Sequence, residues 1–514
     1  MRARRFPSGC VASPHHLASA VGLDVLADGG NALDAAIASN LTLGVVTPYL
    51  CGYGGDLFAL IWNGDLFAYN GSGRAPAAAT AEAVRSASGS DHMPEFGPHA
   101  VTVPGAVEAW FVLLERFGTR PFRDLAQPAL GYATKGFHLS SAAATSINRA
   151  RSKYARSREW QAVYGRAAAG RRLRQPDLAA TIEALSLAGR DAFYRGPIAR
   201  AITSHLRSLG GLMIAEDLSD HRGDWVRPLA TTYRDVEVLE LPPNTQGVTA
   251  LEALNIVQAR GALPTDGEER HHLLIEAIKL ALADRDDFVT DPAEMRIPPE
   301  TLASAGWAKE RAQRIDPAAA SDPVPGRAAA GGTVYLCAAD RSGMCVSLIQ
   351  SNYMGFGSGV TVPGWGINLQ NRGAMFSLDP SHANVVAPRK RTLHTLIPAM
   401  ALRDGRPWLV FGTMGGDGQA QTHLQLLVRI VDDREGIQRA VDAPRWVVSP
   451  GDWAVMAEPP LDPSIIDGLR RRGHRLLLTD RYDSLMGHAQ AIEVTGDGYA
   501  GATDPRAEGA VMGL

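Results

Sequence analysis

The chain has 514 residues, of which 45% are hydrophobic and 20% are charged, a composition typical of a soluble globular protein with a large core. The 51 lysines and arginines nearly balance the 54 aspartates and glutamates, so the net charge of −3 gives no argument for nucleic acid or an anionic membrane, and neither partner is expected. No apolar run approaches the roughly 20 residues of a membrane span, and residues 1–16 lack the apolar core of a signal peptide. We therefore expect a cytoplasmic protein.

Cysteine and histidine spacing gives no sign of a disulfide framework or a metal centre. The chain has four cysteines, none of them in a CxxC pair, and they are Cys10, Cys51, Cys337 and Cys345. Buried free thiols are therefore expected. His15-His16 and His271-His272 are adjacent pairs whose side chains point to different faces of an element, so neither pair is predicted to bind a metal. No cofactor is expected either.

The N-terminal part alternates helical and extended patterns. Apolar spacing predicts a helix over residues 16–46 with a break at Gly29-Gly30-Asn31, where Asn31 is suited to cap the second part and Asp34 lies near its positive end. A glycine-rich turn at residues 52–55 comes next, and then the strands LFALIW and DLFAYN.

The middle of the chain is mostly helical and ends in a linker. Helices are predicted over ALEALNIVQAR (250–260) and residues 271–288, after the loop LPPNTQG (241–247). Residues 317–332, PAAASDPVPGRAAAGG, have no periodicity and form the one clear linker-like stretch. This stretch separates the helical middle from the C-terminal third of the chain.

The pattern changes at residue 333. TVYLCAAD and MCVSLIQS predict two strands joined by a short hairpin turn, and their continuous apolar character predicts strands covered on both faces. More strands and helices are predicted after them, such as THLQLLVRIVDD (422–433). Strands with helices on both sides predict a layered α/β sandwich.

Common catalytic motifs are missing. The sequence contains neither the GxSxG elbow of α/β-hydrolases nor the GxxxxGK[ST] loop of P-loop enzymes. The glycine clusters GYGGD, GFGSG and GTMGGDG do not match the dinucleotide fingerprint. The sequence therefore disfavours these classes.

The junction Gly331-Gly332-Thr333, where the linker meets a predicted buried strand, suits one particular chemistry. A threonine released there as a new N-terminus would have an α-amine able to act as the base for its own hydroxyl. The pKa of such an amine, about 7.7–8, suits that role near neutral pH. Ser351, at the end of the return strand, would lie within hydrogen-bonding reach. Taken alone, however, the junction favours Thr333 as an ordinary strand residue.

Several segments resemble signatures of the gamma-glutamyltranspeptidase family, in order, across about 500 residues. They include GGNALDAAIASNLTLGVVTP (29–48), VPGAVEAW (103–110), LPPNTQG (241–247), EAIKLALADRDDFVTDP (276–292), GGTVYLCAADRSGMCVSLIQSNYMGFGSG (331–359), FGTMGGDG (411–418) and ATDPR (502–506). Each segment alone is a weak signal, whereas their common order and spacing make a strong one. This resemblance reverses the interpretation of Thr333.

The resemblance implies a mixed α/β (α+β) fold, the four-layer αββα sandwich of N-terminal-nucleophile (Ntn) hydrolases. It implies self-cleavage before Thr333 into a large subunit, 1–332, and a small subunit, 333–514. These fragments would stay associated, and a homodimer of such heterodimers is a further expectation. Thr333 matches the family's nucleophile and Ser351 its supporting hydroxyl residue. Gly415 and Gly416 match the glycine pair whose N–H groups form the oxyanion hole.

The residues that would bind the substrate depart from the family pattern. The arginine that grips the glutamyl α-carboxylate in the family is replaced by Ser72, with Arg74 two residues further on. Three more differences are Tyr353 for an asparagine, Ala374 for the aspartate that binds the substrate ammonium, and His394-Thr395 for two serines. Candidate substrate-contacting residues are Ser72, Arg74, Tyr353, Asn371, Arg372, His394 and Thr395.

The segments YNGSGRAP, IQSNYMGFGSG and LQNRG are closer to a branch of the family that resembles oxamate amidohydrolase. We therefore expect a self-processing amide hydrolase that forms an acyl-enzyme at Thr333 and acts on a small acidic amide such as oxamate. Two alternatives stay open. One is a gamma-glutamyl transferase or hydrolase acting on glutathione-like donors, and the other is an uncleaved, non-enzymatic binding homologue.

Overall fold

The computed structural model describes residues 2–323 and 331–514. Residues 324–330 of the predicted linker lie outside the described residues. The strands are β1 (Arg4–Phe6), β2 (Cys10–Ser13), β3 (Asp56–Trp62), β4 (Leu66–Asn70), β5 (Phe137–His138), β6 (Arg172–Leu173), β7 (Asp224–Val226), β8 (Leu229–Tyr233), β9 (Val236–Glu240), β10 (Gly332–Ala339), β11 (Cys345–Tyr353), β12 (Thr361–Val362), β13 (Ile367–Asn368), β14 (Ala399–Arg403), β15 (Arg406–Thr413), β16 (Trp446–Val448), β17 (Val455–Ala457), β18 (Leu476–Leu478), β19 (Ala489–Thr495), β20 (Gly498–Thr503) and β21 (Ala510–Gly513).

The helices lie mainly between these strands and before the linker. They are α1 (His16–Ala27), α2 (Ala32–Val46), α3 (Ala81–Ser88), α4 (Ala106–Phe117), α5 (Phe122–Leu125), α6 (Gln127–Lys135), α7 (Ser141–Ala150), α8 (Arg158–Tyr164), α9 (Pro176–Ala188), α10 (Asp191–Tyr194), α11 (Pro197–Ser208), α12 (Ala215–Ser219), α13 (Gly247–Ala259), α14 (Glu268–Phe288), α15 (Pro299–Leu302), α16 (Ala305–Ala312), α17 (Gly418–Leu427), α18 (Ile437–Asp442) and α19 (Pro463–Arg471).

Two seven-stranded sheets form the centre of the described chain. Their strand orders are β1-β20-β19-β15-β14-β9-β8 and β21-β2-β10-β11-β3-β4-β7, and the pairings within them are antiparallel. We call them the β15 sheet and the β10 sheet. Both sheets contain neighbouring strands from the two sides of the Gly332–Thr333 junction, so the two parts of the chain build one fold.

Side-chain alternation along the strands divides the core into layers. In β10, Tyr335 and Cys337 face the β15 sheet, whereas Val334, Leu336 and Ala338 face the helices. One helical layer, built around α1, α2, α4 and α9, covers the outer face of the β10 sheet, and α13, α14 and α17 cover the outer face of the β15 sheet. Period-two alternation with an apolar residue on both faces is what a strand covered on both sides requires. The αββα sandwich predicted from the sequence is confirmed.

Most predicted elements are present. The break before α2 is a capping box, in which the Asn31 side chain accepts from the Asp34 N–H and the Asp34 carboxylate accepts from the Asn31 N–H. The predicted hairpin corresponds to β10 and β11. The bounds predicted for the helix over 422–433 are wrong, because α17 begins at Gly418 and continues as a π-helical turn over Val428–Asp432. None of the described helices is both long and apolar enough to span a bilayer.

Candidate active site

Three neighbouring strands place Thr333, Ser351 and Asp56 in one row between the sheets. Ser351 of β11 is directly opposite Asp56 of β3, and the Thr333 hydroxyl of β10 donates to the Ser351 hydroxyl at 3.2 Å. Each of the three lies two residues from an apolar side chain of the inter-sheet layer, and these neighbours are Tyr335, Ile349 and Phe58. Because side chains alternate along a strand, the row is the polar continuation of that layer.

The hydroxyl of Ser351 connects the proposed nucleophile to the peptide bond that precedes it. Ser351 Oγ donates to the Gly332 carbonyl oxygen at 2.5 Å and accepts from the Tyr353 N–H at 2.7 Å. The β10–β11 register shifts between Gly332 and Val334, so Thr333 sits in a β-bulge. Bulges commonly re-aim a side chain beside an active site. Here the bulge brings the Thr333 hydroxyl and the Gly332 carbonyl to the same hydroxyl group.

The glycine pair lies between β15 and α17. Gly415 and Gly416 have φ values of 139° and 56°, a conformation that L side chains rarely adopt. Within the described residues, neither glycine N–H donates a hydrogen bond, and both precede the positive end of α17. Free N–H groups at a helix N-terminus suit a developing negative charge. The preceding strand, β15, packs closely against β10, because a Cβ atom added to Gly412 would lie only 2.5 Å from the Tyr335 ring.

Gln246 and Arg285 hold this glycine turn in place. The Gln246 amide donates to the Gly416 carbonyl at 2.9 Å and to the Thr395 carbonyl at 2.8 Å. The Arg285 guanidinium donates to the Gln246 side chain and pairs with Asp417. Both residues belong to segments that resembled family signatures, yet no feature of the sequence assigned them to the site. Their contribution depends on contacts between distant segments.

Arg372 is a buried cation with an unused donor. Its side chain is 1% exposed, Nη1 donates to the Thr395 hydroxyl at 3.0 Å, and the guanidinium lies 4.1 Å from the centre of the Tyr353 ring. Among the described residues, Nη2 has no hydrogen-bond partner. Burial lowers the pKa of Arg372 to about 10, so it stays charged at neutral pH. A buried charged donor without a partner is unfavourable unless a ligand completes it.

His394 and Asp56 form a buried pair beside Thr395. His394 Nε2 lies 3.2 Å from Asp56 Oδ2, and the Leu396 N–H donates to His394 Nδ1 at 3.3 Å, which places the imidazole proton on Nε2. Burial and the charge of Arg372 hold the pKa of His394 well below its usual value, so the ring is neutral. Burial raises the pKa of Asp56 to about 7 although Arg372 opposes that shift. Asp56 comes directly after the glycine-rich turn, and that position was the sequence signal that could have identified it.

Asn371 and Ser72 support the site through their hydrogen bonds. The Asn371 side chain accepts from the Met354 N–H and donates to the Glu95 carbonyl, which fixes the loop beside Arg372. Ser72 donates to Asn70 at 2.7 Å and accepts from Asn244 at 3.3 Å. Its hydroxyl is thus committed to neighbouring side chains.

Arg74 lies apart from this group. It pairs with Asp291 at 3.3 Å and with Asp224 at 3.6 Å, and it lines a surface cavity of about 370 Å³ together with His221 and Arg389. None of the residues around Thr333 lines that cavity. The structure therefore brings Arg372, rather than Arg74, to the buried row.

One group of described residues has ligand atoms close enough to hold a metal ion, and it consists of His272, Glu276 and His474, within 4.8 Å of one another. The Lys279 ammonium already lies 3.1 Å from Glu276, and His272 Nδ1 and His474 Nε2 are hydrogen-bonded at 2.8 Å. The Glu276 carboxylate is thus paired with an ammonium group of the protein itself, and the two imidazole rings are hydrogen-bonded to each other. His271 points to different partners, as its adjacent position predicted.

The site is closed in the uncleaved chain. Thr333, Ser351, Tyr353 and Arg372 are at most 2% exposed. On one side of the site, Gly331 packs against the Tyr353 ring, since a Cβ atom added to Gly331 would lie 3.3 Å from that ring. On the other side the Tyr353 hydroxyl contacts the sulfur of Met375, a residue that lines a surface cavity of about 550 Å³.

The fold and the site together define a class of enzyme. A threonine at the start of an inner strand of an αββα sandwich is the arrangement of the N-terminal-nucleophile hydrolases. The sequence profile described as Gamma-glutamyltranspeptidase matches residues 18–514, so the chain belongs to the gamma-glutamyltranspeptidase family.

Individual relatives are similar over nearly the whole chain. The glutathione hydrolase-like YwrD proenzyme of Bacillus subtilis is 38% identical and the oxamate amidohydrolase proenzyme of Klebsiella pneumoniae is 37% identical, each over 98% of both chains. The crystal structure of a cephalosporin acylase from Bacillus halodurans superposes with a TM-score of 0.95 at 39% identity, covering 100% of this chain and 97% of that one. The chain is accordingly an enzyme of this family, whose members act on amides.

Proposed function

We propose that this protein cleaves itself between Gly332 and Thr333 and then hydrolyses a small amide that carries a carboxylate, such as oxamate. The observation that carries the proposal is the chain of hydrogen bonds from the Thr333 hydroxyl through Ser351 to the Gly332 carbonyl. The two relatives named proenzymes support the cleavage.

In the cleavage step, Thr333 Oγ attacks the Gly332 carbonyl carbon. Its proton passes to Ser351 Oγ while Ser351 gives its own proton to the Gly332 oxygen. As the C–N bond breaks, the Gly332 oxygen gives its proton to the Thr333 nitrogen and the carbonyl re-forms. This leaves an ester between Gly332 and the Thr333 hydroxyl, together with a free Thr333 amine. Water hydrolyses this ester, which separates fragments 1–332 and 333–514.

In turnover, the freed amine takes the proton of the Thr333 hydroxyl as that oxygen attacks the substrate carbonyl. The N–H groups of Gly415 and Gly416 stabilise the oxyanion, a contribution of about 3–4 kcal/mol for each good donor. The same amine returns the proton to the leaving nitrogen. Water then resolves the acyl-enzyme.

Arg372 supports a carboxylate-bearing substrate. A bound carboxylate would accept a hydrogen bond from the free Nη2 of Arg372. A charge-assisted hydrogen bond of this kind is about twice as strong as a neutral one. Tyr353 and Thr395 hold the guanidinium in place for that contact. The oxamate amidohydrolase relative supports the same substrate class. A glutamyl group needs an ammonium acceptor as well, and Ala374 offers none at the position where the family has an aspartate.

The first test is the denatured mass of the purified protein after incubation at neutral pH. We expect fragments 1–332 and 333–514 in the active protein and a single intact chain in a Thr333→Ala variant. An intact wild-type chain would contradict the proposal and favour the binding-protein alternative.

The second test measures ammonia release from oxamate against release of a chromogenic amine from a gamma-glutamyl anilide. We expect turnover of oxamate, with Arg372→Gln raising KM by at least about thirtyfold, equivalent to about 2 kcal/mol. Arg74→Gln is the matched control and should leave KM nearly unchanged. Preferential turnover of the anilide would show the gamma-glutamyl alternative to be right.

A further inference from the structure

We propose that Asp56 is a positioning residue that makes carboxylate binding at Arg372 proton-linked, so that the enzyme takes up a proton at the Asp56–His394 pair when substrate binds. The inference rests on the proposed role of Arg372 in the proposed function. It adds a group that neither the family match nor the resemblance assigns.

Asp56 joins three loops that surround the reactive row. It is 1% exposed, and its Oδ1 accepts the N–H groups of Gly73 at 3.2 Å and Gly105 at 3.1 Å. Its Oδ2 accepts the Nε2–H of His394, whose neighbour Thr395 holds Arg372. One carboxylate thus orders the loop after β4, the turn before α4 and the segment before β14.

Among the charged groups around Asp56, Arg372 is the one whose electrostatic effect on Asp56 a bound carboxylate would offset. His394 is neutral, and burial keeps the pKa of Tyr194 well above its usual value, so Tyr194 is neutral too. Arg391 is committed to Asp224 and to a backbone carbonyl. Arg372 acts on Asp56 through space, without a direct ion pair, and is the strongest attraction that favours the ionised carboxylate.

A substrate carboxylate at Arg372 would place a second negative charge near Asp56 and so offset the attraction of the guanidinium. This repulsion raises the pKa of Asp56, which burial already places at about 7. Below about pH 7 the pair is already protonated, and the carboxylate binds without proton uptake. Above it, binding requires a proton, so affinity falls by about tenfold per pH unit until the pKa of the complex is reached.

The experiment uses oxalate as a competitive inhibitor of oxamate hydrolysis by the processed enzyme, from about pH 6 to about pH 9. Oxalate keeps the same charge across this range. For wild-type enzyme we expect Ki to rise by about tenfold per pH unit above about pH 7. Asp56→Asn should remove this slope, and Asp56→Glu, which keeps a titrating carboxylate, should retain it.

If Asp56→Asn fails to fold or to process, calorimetry on the wild-type enzyme provides an independent test. Oxalate binding to wild-type enzyme at about pH 7.5, in two buffers of different ionisation enthalpy, should take up a substantial fraction of one proton. No uptake, or inhibition with a flat pH profile, would overturn the inference. So would a slope that persists in Asp56→Asn, because the freed Thr333 amine would then be the titrating group. If oxalate does not inhibit at any pH, that result would instead contradict carboxylate binding at Arg372 and the proposed substrate class.

Discussion

The Ser351 hydroxyl is bonded to both groups that would react with each other in the proposed cleavage. It accepts from Thr333 and donates to the Gly332 carbonyl, so a proton can move from nucleophile to oxygen without a separate base. The same hydroxyl is fixed by the Tyr353 N–H, which leaves it little rotational freedom. Placement of this one oxygen is therefore central to the site.

Replacement of Ser351 by alanine should slow self-cleavage by about a hundredfold, since loss of a single donor to a developing oxyanion has effects of that size. The measurement is the fraction of intact chain over time by denatured mass. Ser351→Thr restores a hydroxyl at the same position and should recover most of the rate. Equal rates in the alanine and threonine variants would rule out the relay.

Tyr353 is the other residue whose conformation is determined by the site. Its φ of 74° is unusual for a residue other than glycine, and its ring lies under the Arg372 guanidinium. Tyr353→Phe keeps the ring and should change KM for oxamate less than about threefold. Tyr353→Ala removes a buried cation–π contact of roughly 1–2 kcal/mol and should raise KM by about tenfold. Steady-state kinetics on both variants separate the ring from the hydroxyl.

At the scale of elements, the glycine turn before α17 depends on contacts from α13 and α14. Gln246, immediately before α13, binds the carbonyl of Gly416, while Arg285 of α14 binds both Gln246 and Asp417. In the proposed mechanism, these contacts hold the carbonyls of the turn on one side, so that its N–H groups face the oxyanion on the other. The helices would thus orient the proposed oxyanion donors without touching substrate.

Gln246→Ala should lower kcat by up to about a hundredfold with a smaller change in KM, because misplaced donors act mainly on the transition state. Gln425→Ala is a suitable control, since Gln425 is a largely buried amide of α17 that binds Trp446 rather than the glycine turn. A kcat loss of the same size in both variants would mean that general destabilisation is responsible.

The whole molecule is built so that the proposed fragments cannot separate easily. In the β10 sheet, β2 and β3 from before the junction flank β10 and β11 from after it. In the β15 sheet, β1 and β9 flank four strands from the later part. Separation would break several strand ladders and expose both layers of the core.

We therefore expect the cleaved protein to behave as one particle in native size-exclusion chromatography and as two fragments in a denatured mass measurement. The physical reason is that the hydrophobic core shared by the two fragments stays buried after cleavage. The stabilisation from that burial far exceeds the stabilisation lost when one peptide bond no longer connects the fragments. Elution of a free 333–514 fragment under native conditions would contradict this expectation.

The described first part of the predicted linker, residues 317–323, is tied to both parts of the chain. The Pro323 carbonyl accepts from the Trp453 indole, and Ser321 binds Glu276 and Lys279 of α14. Glu276→Gln would leave the buried ammonium of Lys279 with only the more distant Asp322 carboxylate, 3.8 Å away, at a cost of up to roughly 3 kcal/mol. Thermal unfolding should show a Tm lowered by a few degrees. The exposed change Glu300→Gln should not shift it.

Local rules were sufficient for much of the fold. The capping box of Asn31 and Asp34, the β10–β11 hairpin and the two-sided burial of those strands depend on residues close together in the chain, and each was predictable. Family-like segments in order were sufficient for the layered architecture and the enzyme class. The roles of Thr333 and Ser351 stay predictions, although the two side chains are in contact.

Only the tertiary structure decided which distant side chains share the buried site. In the sequence, Asp56 is marked by nothing more than its place after a glycine-rich turn, and it joins Ser351 because β3 pairs with β11. Arg74 and Arg372 were both candidates in the sequence, yet ion pairs hold the first at the surface while the second is buried with a free donor. Strand pairing and burial are set by the packing of the whole chain. A charged side chain therefore becomes a candidate for binding substrate only when the fold buries it with no protein partner for one of its donors.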